Sequence, residues 1–288
     1  MFESRQRRHD EERSNRSCFF SMEKYQILLT NDDGIQSPGL WAAAEALSAL
    51  GFVTVAAPRD QSSGMGRSLP GTSDGLIKPE TLVVHGQPWT VYAVGGSPAQ
   101  AVLHAILEIM PHKPDLVVSG INYGENIGTG ITVSGTVGAA MEGAALGYKA
   151  LAVSLQTDQK YHLSYSREID FSAAAQFTAY FGRMLLDKQF PEDVQLLKVE
   201  VPSDATFETP WEVSRLARQR YYEPVKPERA SWDIATKVGY REAARLDGEP
   251  EDTDAYVIRK KHRVSVTPLS LDLTARVDLP ELEKLMRK

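Results

Sequence analysis

The fold of this 288-residue chain is decided by residues 26–51, which read QILLTNDDGIQSPGLWAAAEALSALG. The run from Gln26 to Thr30 is short and apolar, which is typical of a parallel strand that is buried on both faces. The residues after it predict a helix, because Pro38 suits a first helical position, leucine and alanine side chains share one face, and Gly51 can end the helix. A strand that leads directly into a helix is the building unit of a doubly wound α/β sheet.

The alternation of strands and helices continues from there to Pro202. Apolar runs predict further strands at 52–56, 81–85, 89–94, 116–118, 151–155 and 195–201, and amphipathic runs predict helices at 98–110, 137–146 and 171–186. Residues 24–202 are therefore expected to form one α/β domain, a mostly parallel sheet with helices on both faces. In residues 203–288 strands and helices no longer alternate. We expect a C-terminal appendage there, with β-hairpins, a strand at 264–267 and a short helix near 279–286.

Composition and charge narrow the class of protein. The 32 basic and 38 acidic residues give a net charge of −6, which argues against a nucleic-acid-binding protein. The single cysteine, Cys18, excludes a disulfide framework and a cysteine-ligated metal site, and it favours the reducing cytoplasm. No run of about 18 apolar residues occurs, so no membrane span is predicted. Residues 1–23 alternate arginine with acidic residues without apolar periodicity, and we expect a disordered tail there.

The first candidate site is the loop Asn31-Asp32-Asp33-Gly34, which follows the first strand. Ligands of doubly wound sheets bind beyond the carboxyl ends of the strands, where both carboxylates can reach one point. Two like charges about 4 Å apart repel by about 4 kcal/mol at an effective dielectric constant of about 20. A bound Mg²⁺ or Mn²⁺ ion would remove this cost, since both ions prefer oxygen ligands. The alternative is an ordinary turn in which both carboxylates face water.

Two further loops follow predicted strands. The loop at 61–68, QSSGMGRS, can present backbone N–H groups and hydroxyls to an anion, with Arg67 as a charged partner; the alternative is a flexible surface loop. The third loop begins at Ser119, contains Asn122 as a neutral oxygen ligand, and reaches a helix start at Ser134-Gly135-Thr136. A helix N-terminus stabilises a phosphate group, although an ordinary helix cap is the alternative for Ser134. Neither loop matches the Walker or the dinucleotide-binding glycine pattern.

Together and in this order, the three loops resemble those of the SurE family, the survival-protein-E nucleotidases. The resemblance is carried by LLTNDDGI (28–35) with SPG (37–39), by VAAP (55–58) with SG (63–64) and SL (68–69), and by SGIN (119–122) with SGTV (134–137) and AME (140–142). It resumes near the C-terminus in TD (253–254), VSVTPL (264–269) and DLT (272–274). Motifs of this length in a fixed order are highly specific.

The resemblance implies a metal-dependent phosphomonoesterase, chiefly a 5′-nucleotidase acting on nucleoside monophosphates, with activity that can extend to 3′-nucleotides and short polyphosphate. It also implies a Rossmann-like fold whose C-terminal arm is exchanged between the subunits of a homodimer or homotetramer. One Mg²⁺ or Mn²⁺ ion per subunit is expected on four residues, Asp32, Asp33, Ser63 and Asn122. The phosphate group is expected to contact four others, Asn126, Ser134, Gly135 and Thr136. Asp32 and Asp33 are the catalytic candidates, with Asp32 the better one for a general base or a nucleophile.

Some positions depart from the pattern of that family. They are Arg67, Pro70 and the stretches 96–100, 129–133 and 198–202 (KVEVP), whereas all four expected metal ligands are kept. The departures bear on substrate preference. The alternative to an enzyme is a nucleotide-binding or regulatory module with weak catalysis. A haloacid-dehalogenase-type phosphatase is disfavoured, because it needs Asp-x-Asp where this chain has adjacent aspartates. Tyr123 is expected either to stack on a base or to pack within the protein.

Overall fold

A computed structural model describes residues 24–84, 86–243 and 248–287 of the chain. The tail predicted at 1–23, with Cys18, lies outside the described residues. The strands are β1 (Tyr25–Thr30), β2 (Gly51–Pro58), β3 (Ile77–Val84), β4 (Gln87–Val94), β5 (Leu116–Tyr123), β6 (Lys149–Leu155), β7 (Leu196–Val201), β8 (Trp211–Val213), β9 (Tyr222–Val225), β10 (Gly239–Glu242) and β11 (Val264–Leu269). The α-helices are α1 (Pro38–Leu47), α2 (Pro98–His104), α3 (Gly135–Ala145), α4 (Ser172–Asp187), α5 (Asp254–Arg259) and α6 (Leu279–Met286).

Nine strands form one sheet in the order β3-β4-β2-β1-β5-β6-β7-β11-β8. The six strands from β4 to β7 run parallel to their neighbours, while β3 is antiparallel to β4 and β11 is antiparallel to β7. This architecture confirms the predicted α/β class. The chain builds the sheet outward from β1 in one direction and then returns to place β5 on the other side of β1. The crevice between β1 and β5 is therefore the switch point where ligands of such sheets bind.

Helices cover both faces of the sheet, as the sequence predicts. Successive strand residues point to opposite faces, and β1 shows this directly. Ile27 and Leu29 belong to the hydrophobic cluster that includes Leu40 of α1 and Phe181 of α4. Leu28 belongs to a separate cluster that includes Val102 of α2. β1 is thus apolar on both sides because each side carries a helix layer.

Two local expectations from the sequence are wrong. Gly51 opens β2 instead of ending α1, and a Cβ atom there would lie only 2.1 Å from the carbonyl oxygen of Tyr25 on the neighbouring strand. The strand predicted at 116–118 continues to Tyr123. Its added length is explained by Ile121 and Tyr123, which are both buried in the core. Asn122 consequently belongs to the end of a strand and not to the loop beyond it.

The C-terminal third contributes both to the sheet and to structure outside it. β11 pairs antiparallel with β7 from Ser265 and Glu200 to Leu269 and Leu196, and β8 extends the sheet beyond β11. β9 and β10 form a separate antiparallel hairpin, which agrees with the predicted hairpins. Within the described ranges, no helix is both long and apolar enough to cross a membrane.

Candidate active site

A cavity of about 310 Å³ opens at the carboxyl ends of β1 and β5. Five of the eight predicted site residues line it: Asp32, Ser63, Asn122, Asn126 and Ser134. The other three, Asp33, Gly135 and Thr136, are fully buried or packed directly behind this wall. The structure therefore brings together side chains from loops that are up to about a hundred residues apart in the sequence.

The turn after β1 is held by the amide of Asn31. Its Nδ2 donates to the carbonyl oxygen of Gly34 at 3.0 Å, and its Oδ1 accepts from the N–H of Gly34 at 3.1 Å. Gly34 has a φ of +95°, which a residue without a side chain adopts readily. The turn is thus real, but its carboxylates are not on the outer surface, since Asp32 is 4% exposed and Asp33 is fully buried.

Asp32 is supported by the start of α3. Its Oδ1 accepts a hydrogen bond from the hydroxyl of Thr136 at 2.5 Å. A Cβ atom on Gly135 would lie 2.6 Å from the Cβ of Asp32, so only glycine permits this approach. Burial raises the pKa of Asp32, and the hydroxyl of Thr136 with the nearby N–H groups opposes that shift. The helix start therefore partly compensates the cost of a buried carboxylate.

Asp33 is fixed by two donors on other elements. Its Oδ1 accepts from Gln61 Nε2 at 3.1 Å, and its Oδ2 accepts from the N–H of Tyr123 at 3.2 Å. Burial and the neighbouring charge of Asp32 together raise the pKa of Asp33 well above its usual range. Two adjacent buried carboxylates are costly unless a proton or a cation accompanies them.

The loop at 61–68 is tied to the rest of the site at several points. The N–H of Ser62 donates to the carbonyl oxygen of Asp32 at 2.7 Å, and Gly66 donates to the carbonyl oxygen of Val133 at 3.0 Å. Arg67, expected to face an anion, instead pairs with Glu142 at 2.6 Å. Ser63 remains exposed at the cavity rim between these anchors.

The donor set fits a hard divalent cation. Asn122 Nδ2 donates to the carbonyl oxygen of Gly124 at 2.6 Å, which leaves the amide oxygen of Asn122 as its acceptor group. With Asp32, Asp33 and Ser63, the candidate ligands are all oxygen atoms, as Mg²⁺ and Mn²⁺ prefer. Across the part of the chain that the structure describes, no group of three or more His, Cys, Asp or Glu residues could hold a metal ion.

The predicted phosphate-binding residues fall into two positions. Ser134 caps α3, because its Oγ accepts from the N–H of Val137 at 3.1 Å, and it also lines the cavity. Asn126 lines the cavity too, with its Nδ2 donating to Ser154 Oγ at 3.0 Å. Gly135 and Thr136 lie beneath Asp32. A direct contact from these two residues to phosphate stays a prediction.

A second part of the cavity lining, the aromatic wall, was not predicted from the sequence. It is formed by His162 with Tyr222 of β9 and Tyr240 of β10. The ring of His162 lies 6.2 Å from that of Tyr240 in a stacked arrangement, and its Nδ1 is 3.1 Å from the hydroxyl of Tyr240. Tyr123 also lines the cavity, but its ring packs edge-on against Phe171, with ring centroids 4.9 Å apart, and its hydroxyl donates to the carbonyl oxygen of Ser166.

Comparison with known proteins points to one family. The model of the family described as survival protein SurE matches residues 27–223. The 5′-nucleotidase SurE of Thermococcus gammatolerans is 44% identical over 263 residues, covering 91% of this chain and 96% of that protein. The 5′-nucleotidase SurE of Methanosarcina mazei is 41% identical over 271 residues, covering 91% and 97%. The crystal structure of the SurE protein from Aquifex aeolicus matches with a TM-score of 0.70 and 33% identity, covering 91% of this chain and 99% of that one.

Proposed function

This chain belongs to the SurE family, and from that premise we propose that it is a metal-dependent 5′-nucleotidase, which hydrolyses nucleoside 5′-monophosphates to a nucleoside and inorganic phosphate. The observation that carries the proposal is the pair of buried carboxylates, Asp32 and Asp33, set beside a cavity at the switch point of the sheet. We extend the proposal to 3′-nucleotides and short polyphosphate, as the family resemblance implies. The single cysteine favours a reducing location such as the cytoplasm.

The proposed metal site consists of Asp32, Asp33, Ser63 and Asn122, which would hold one Mg²⁺ or Mn²⁺ ion. When bound, such an ion polarises a phosphate oxygen and lowers the pKa of a coordinated water molecule. The support for this assignment is the electrostatic cost of Asp32 and Asp33, whose buried charges lack a cationic side chain among their hydrogen-bond partners in the described chain.

The chain's own groups orient the phosphate. Ser134 and the start of α3 present a hydroxyl and N–H groups to its oxygens, and the amide of Asn126 contacts it from the other side. Asp32 is held by Thr136 at one oxygen, so its carboxylate has a fixed direction. Fixed donors such as the hydroxyl of Ser134 and the N–H groups of α3 stabilise charge in the transition state without reorganising during the reaction. Asp32 is the proposed general base or nucleophile.

The nucleoside is proposed to lie against the aromatic wall. Tyr240 is about one third exposed at 37%, so its ring is available to a base in the cavity. The cavity volume of about 310 Å³ is in the range of small-molecule sites. Aromatic stacking recognises the flat face of any base, which predicts a nucleotidase with broad base preference.

The proposal is tested with one substrate panel. The purified protein is treated with EDTA and assayed with and without Mn²⁺ on nucleoside 5′- and 3′-monophosphates, tripolyphosphate and p-nitrophenyl phosphate. We expect EDTA to remove at least about 99% of the phosphate release and Mn²⁺ to restore it. The KM for nucleoside 5′-monophosphates should be about tenfold lower than for p-nitrophenyl phosphate, because the aromatic wall contacts the nucleoside. Undiminished activity after chelation would refute the metal site, and nucleotide binding without turnover would favour the regulatory module.

For assembly, we propose a homodimer or homotetramer with exchanged C-terminal arms. The support is α6, in which no residue is buried and in which Leu279, Leu285 and Met286 are each more than half exposed. An amphipathic helix with an exposed apolar stripe needs a partner surface. Light scattering should give two or four times the chain mass of 31.8 kDa. A chain that ends at Ser270 should form a smaller assembly. A full-length protein that stays at 31.8 kDa at assay concentration contradicts arm exchange.

A further inference from the structure

We infer that a buried charge cluster, Lys198, Glu200 and Asp254, is a positioning device that sets the affinity of the cavity for phosphate by fixing the backbone of Asn126. This inference rests on the proposed function, since it assigns the cluster a task in the same site. None of the three residues lines the cavity. They act through the loop Glu125–Gly128, which carries Asn126 and which we call the 125–128 loop.

The cluster is closed to water. Lys198 Nζ lies 3.0 Å from Asp254 Oδ2 and 3.3 Å from Glu200 Oε1, and all three side chains are fully buried. Lys198 and Glu200 are two positions apart on β7 and so project from the same face of the strand. Asp254 is the first residue of α5, and the C-terminal third thereby reaches the catalytic sheet.

The cluster holds both polar backbone atoms of Asn126. Lys198 Nζ donates to the carbonyl oxygen of Asn126 at 2.9 Å, and the N–H of Asn126 donates to Glu200 Oε2 at 2.9 Å. Two residues further on, the N–H of Gly128 donates to Asp254 Oδ2 at 3.0 Å. Hydrogen bonds to ionised groups are stronger and more directional than those between neutral groups. The 125–128 loop is therefore held in one position beside the cavity.

A second contact joins α5 to the 125–128 loop. Arg259, at the other end of α5, lies with its Nη2 2.5 Å from Oε1 of Glu125. α5 thus holds the 125–128 loop at Glu125 and at Gly128, on either side of Asn126. A buried ion cluster is an expensive way to stabilise a fold, because apolar residues of similar size usually do as well. The three contacts of the cluster with the 125–128 loop, together with that of Arg259, give it a functional reason.

The side chain of Asn126 is placed by the same cluster. Its Nδ2 donates to Ser154 Oγ, which lies 3.4 Å from Glu200 Oε1. Loss of the carboxylate at position 200 would therefore disturb both the backbone and the side-chain amide of Asn126. The expected consequence is weaker phosphate binding with little change in the chemical step, since Asp32 is held independently by Thr136.

The test compares Glu200→Gln and Asp254→Asn with Asp252→Asn, which changes the same chemical group at an exposed ion pair, 2.8 Å from Arg215. The measurements are kcat and KM for a nucleoside 5′-monophosphate with Mn²⁺, the Kd of inorganic phosphate by calorimetry, and Tm. In Glu200→Gln and Asp254→Asn, KM and the phosphate Kd should rise together by about tenfold, with kcat within about threefold of the parent. Asp252→Asn should leave all of them unchanged.

A purely structural cluster would lower Tm in the two variants while KM and the phosphate Kd stay at parental values, and that result overturns the inference. If both variants fail to fold, Ser154→Ala takes their place, because it removes only the hydroxyl that Asn126 contacts. It should raise the phosphate Kd by about threefold, and an unchanged Kd would count against the inference. The calorimetric Kd needs no turnover, so a protein that binds phosphate without hydrolysing nucleotides would contradict the proposed function and still test the cluster.

Discussion

Asp32→Asn is expected to lower kcat/KM for a nucleoside 5′-monophosphate by about 10³-fold or more. Asp32 is the carboxylate that lines the cavity, and its Oδ1 is oriented by Thr136. The amide keeps the shape and an acceptor for Thr136, but it loses the charge that a cation or a proton transfer requires. Because burial raises the pKa of Asp32, the charge is unfavourable in the folded protein without a cation. The Tm of the metal-free variant should therefore equal or exceed that of the parent.

Steady-state kinetics over a range of Mn²⁺ concentrations, with Tm measured in EDTA, check this expectation. Asp33→Asn should also reduce turnover by orders of magnitude and weaken the dependence on metal, since Asp33 is the second carboxylate of the pair. Asp60→Asn is the matched control, because the side chain of Asp60 is 81% exposed in the loop next to the site. Full Mn²⁺-dependent activity in Asp32→Asn or Asp33→Asn would exclude the proposed metal site.

Gly135→Ala is expected to lower activity by about 10²-fold and stability by about 1–3 kcal/mol. Alanine normally favours a helix over glycine, so the propensity of α3 alone predicts the opposite change in stability. The new Cβ would lie 2.6 Å from the Cβ of Asp32 and 2.9 Å from its Oδ2, closer than atoms can pack. Asp32 or α3 must move, and the hydrogen bond from Thr136 to Asp32 is lost or lengthened.

Denaturant unfolding and nucleotidase kinetics on the same preparation separate the two effects of Gly135→Ala. Gly71→Ala is the control, since a Cβ atom there meets nothing within 4 Å. That variant should match the parent in both assays. Parental activity in Gly135→Ala would show that the start of α3 does not position Asp32.

The sequence predicts the parts of the site that follow directly from strand ends. Asp32, Ser63 and Asn122 stand in loops or strand ends of unusual composition, and the α/β rhythm is enough to place those ends on one edge of the sheet. Ser134 is predictable for the same reason, both as a helix cap and as a wall of the cavity. Each of these loops is recognised from residues that are neighbours in the sequence, so a single sequence is enough to predict them.

The aromatic wall could not be predicted from the sequence in the same way. Tyr222 and Tyr240 meet through a hairpin of two four-residue strands, in which Tyr240 pairs with Pro224 and Glu242 pairs with Tyr222. Strands this short carry little periodicity, and the segment between them offers many registers. His162 joins them from a region with no regular pattern. These contacts depend on tertiary packing between segments that are remote in the sequence, and no short stretch of sequence predicts it.

Lys198 and Glu200 could be seen in the sequence only as a departure from the family pattern. On β7 they alternate with apolar residues as any half-exposed strand would. Their burial depends on Asp254, which arrives from a helix 56 positions further along the chain. A charged residue in a strand predicts exposure unless its partner is known, and here the partner is remote.

Lys198 and Asp254 are far apart in the sequence, and this separation affects how the chain folds during its synthesis. A ribosome adds about 5–20 residues per second, so Lys198 leaves it roughly 3–11 s before Asp254, one of the two carboxylates that pair with it, 56 positions later. During that interval β7 also lacks β11, and its outer edge is free to pair with another chain. Nascent chains that end before α5 therefore lack Asp254 and leave the outer edge of β7 unpaired. Nucleotidase activity in a cell-free synthesis reaction should appear only after the final segment has emerged, later than the fluorescence changes that report sheet formation.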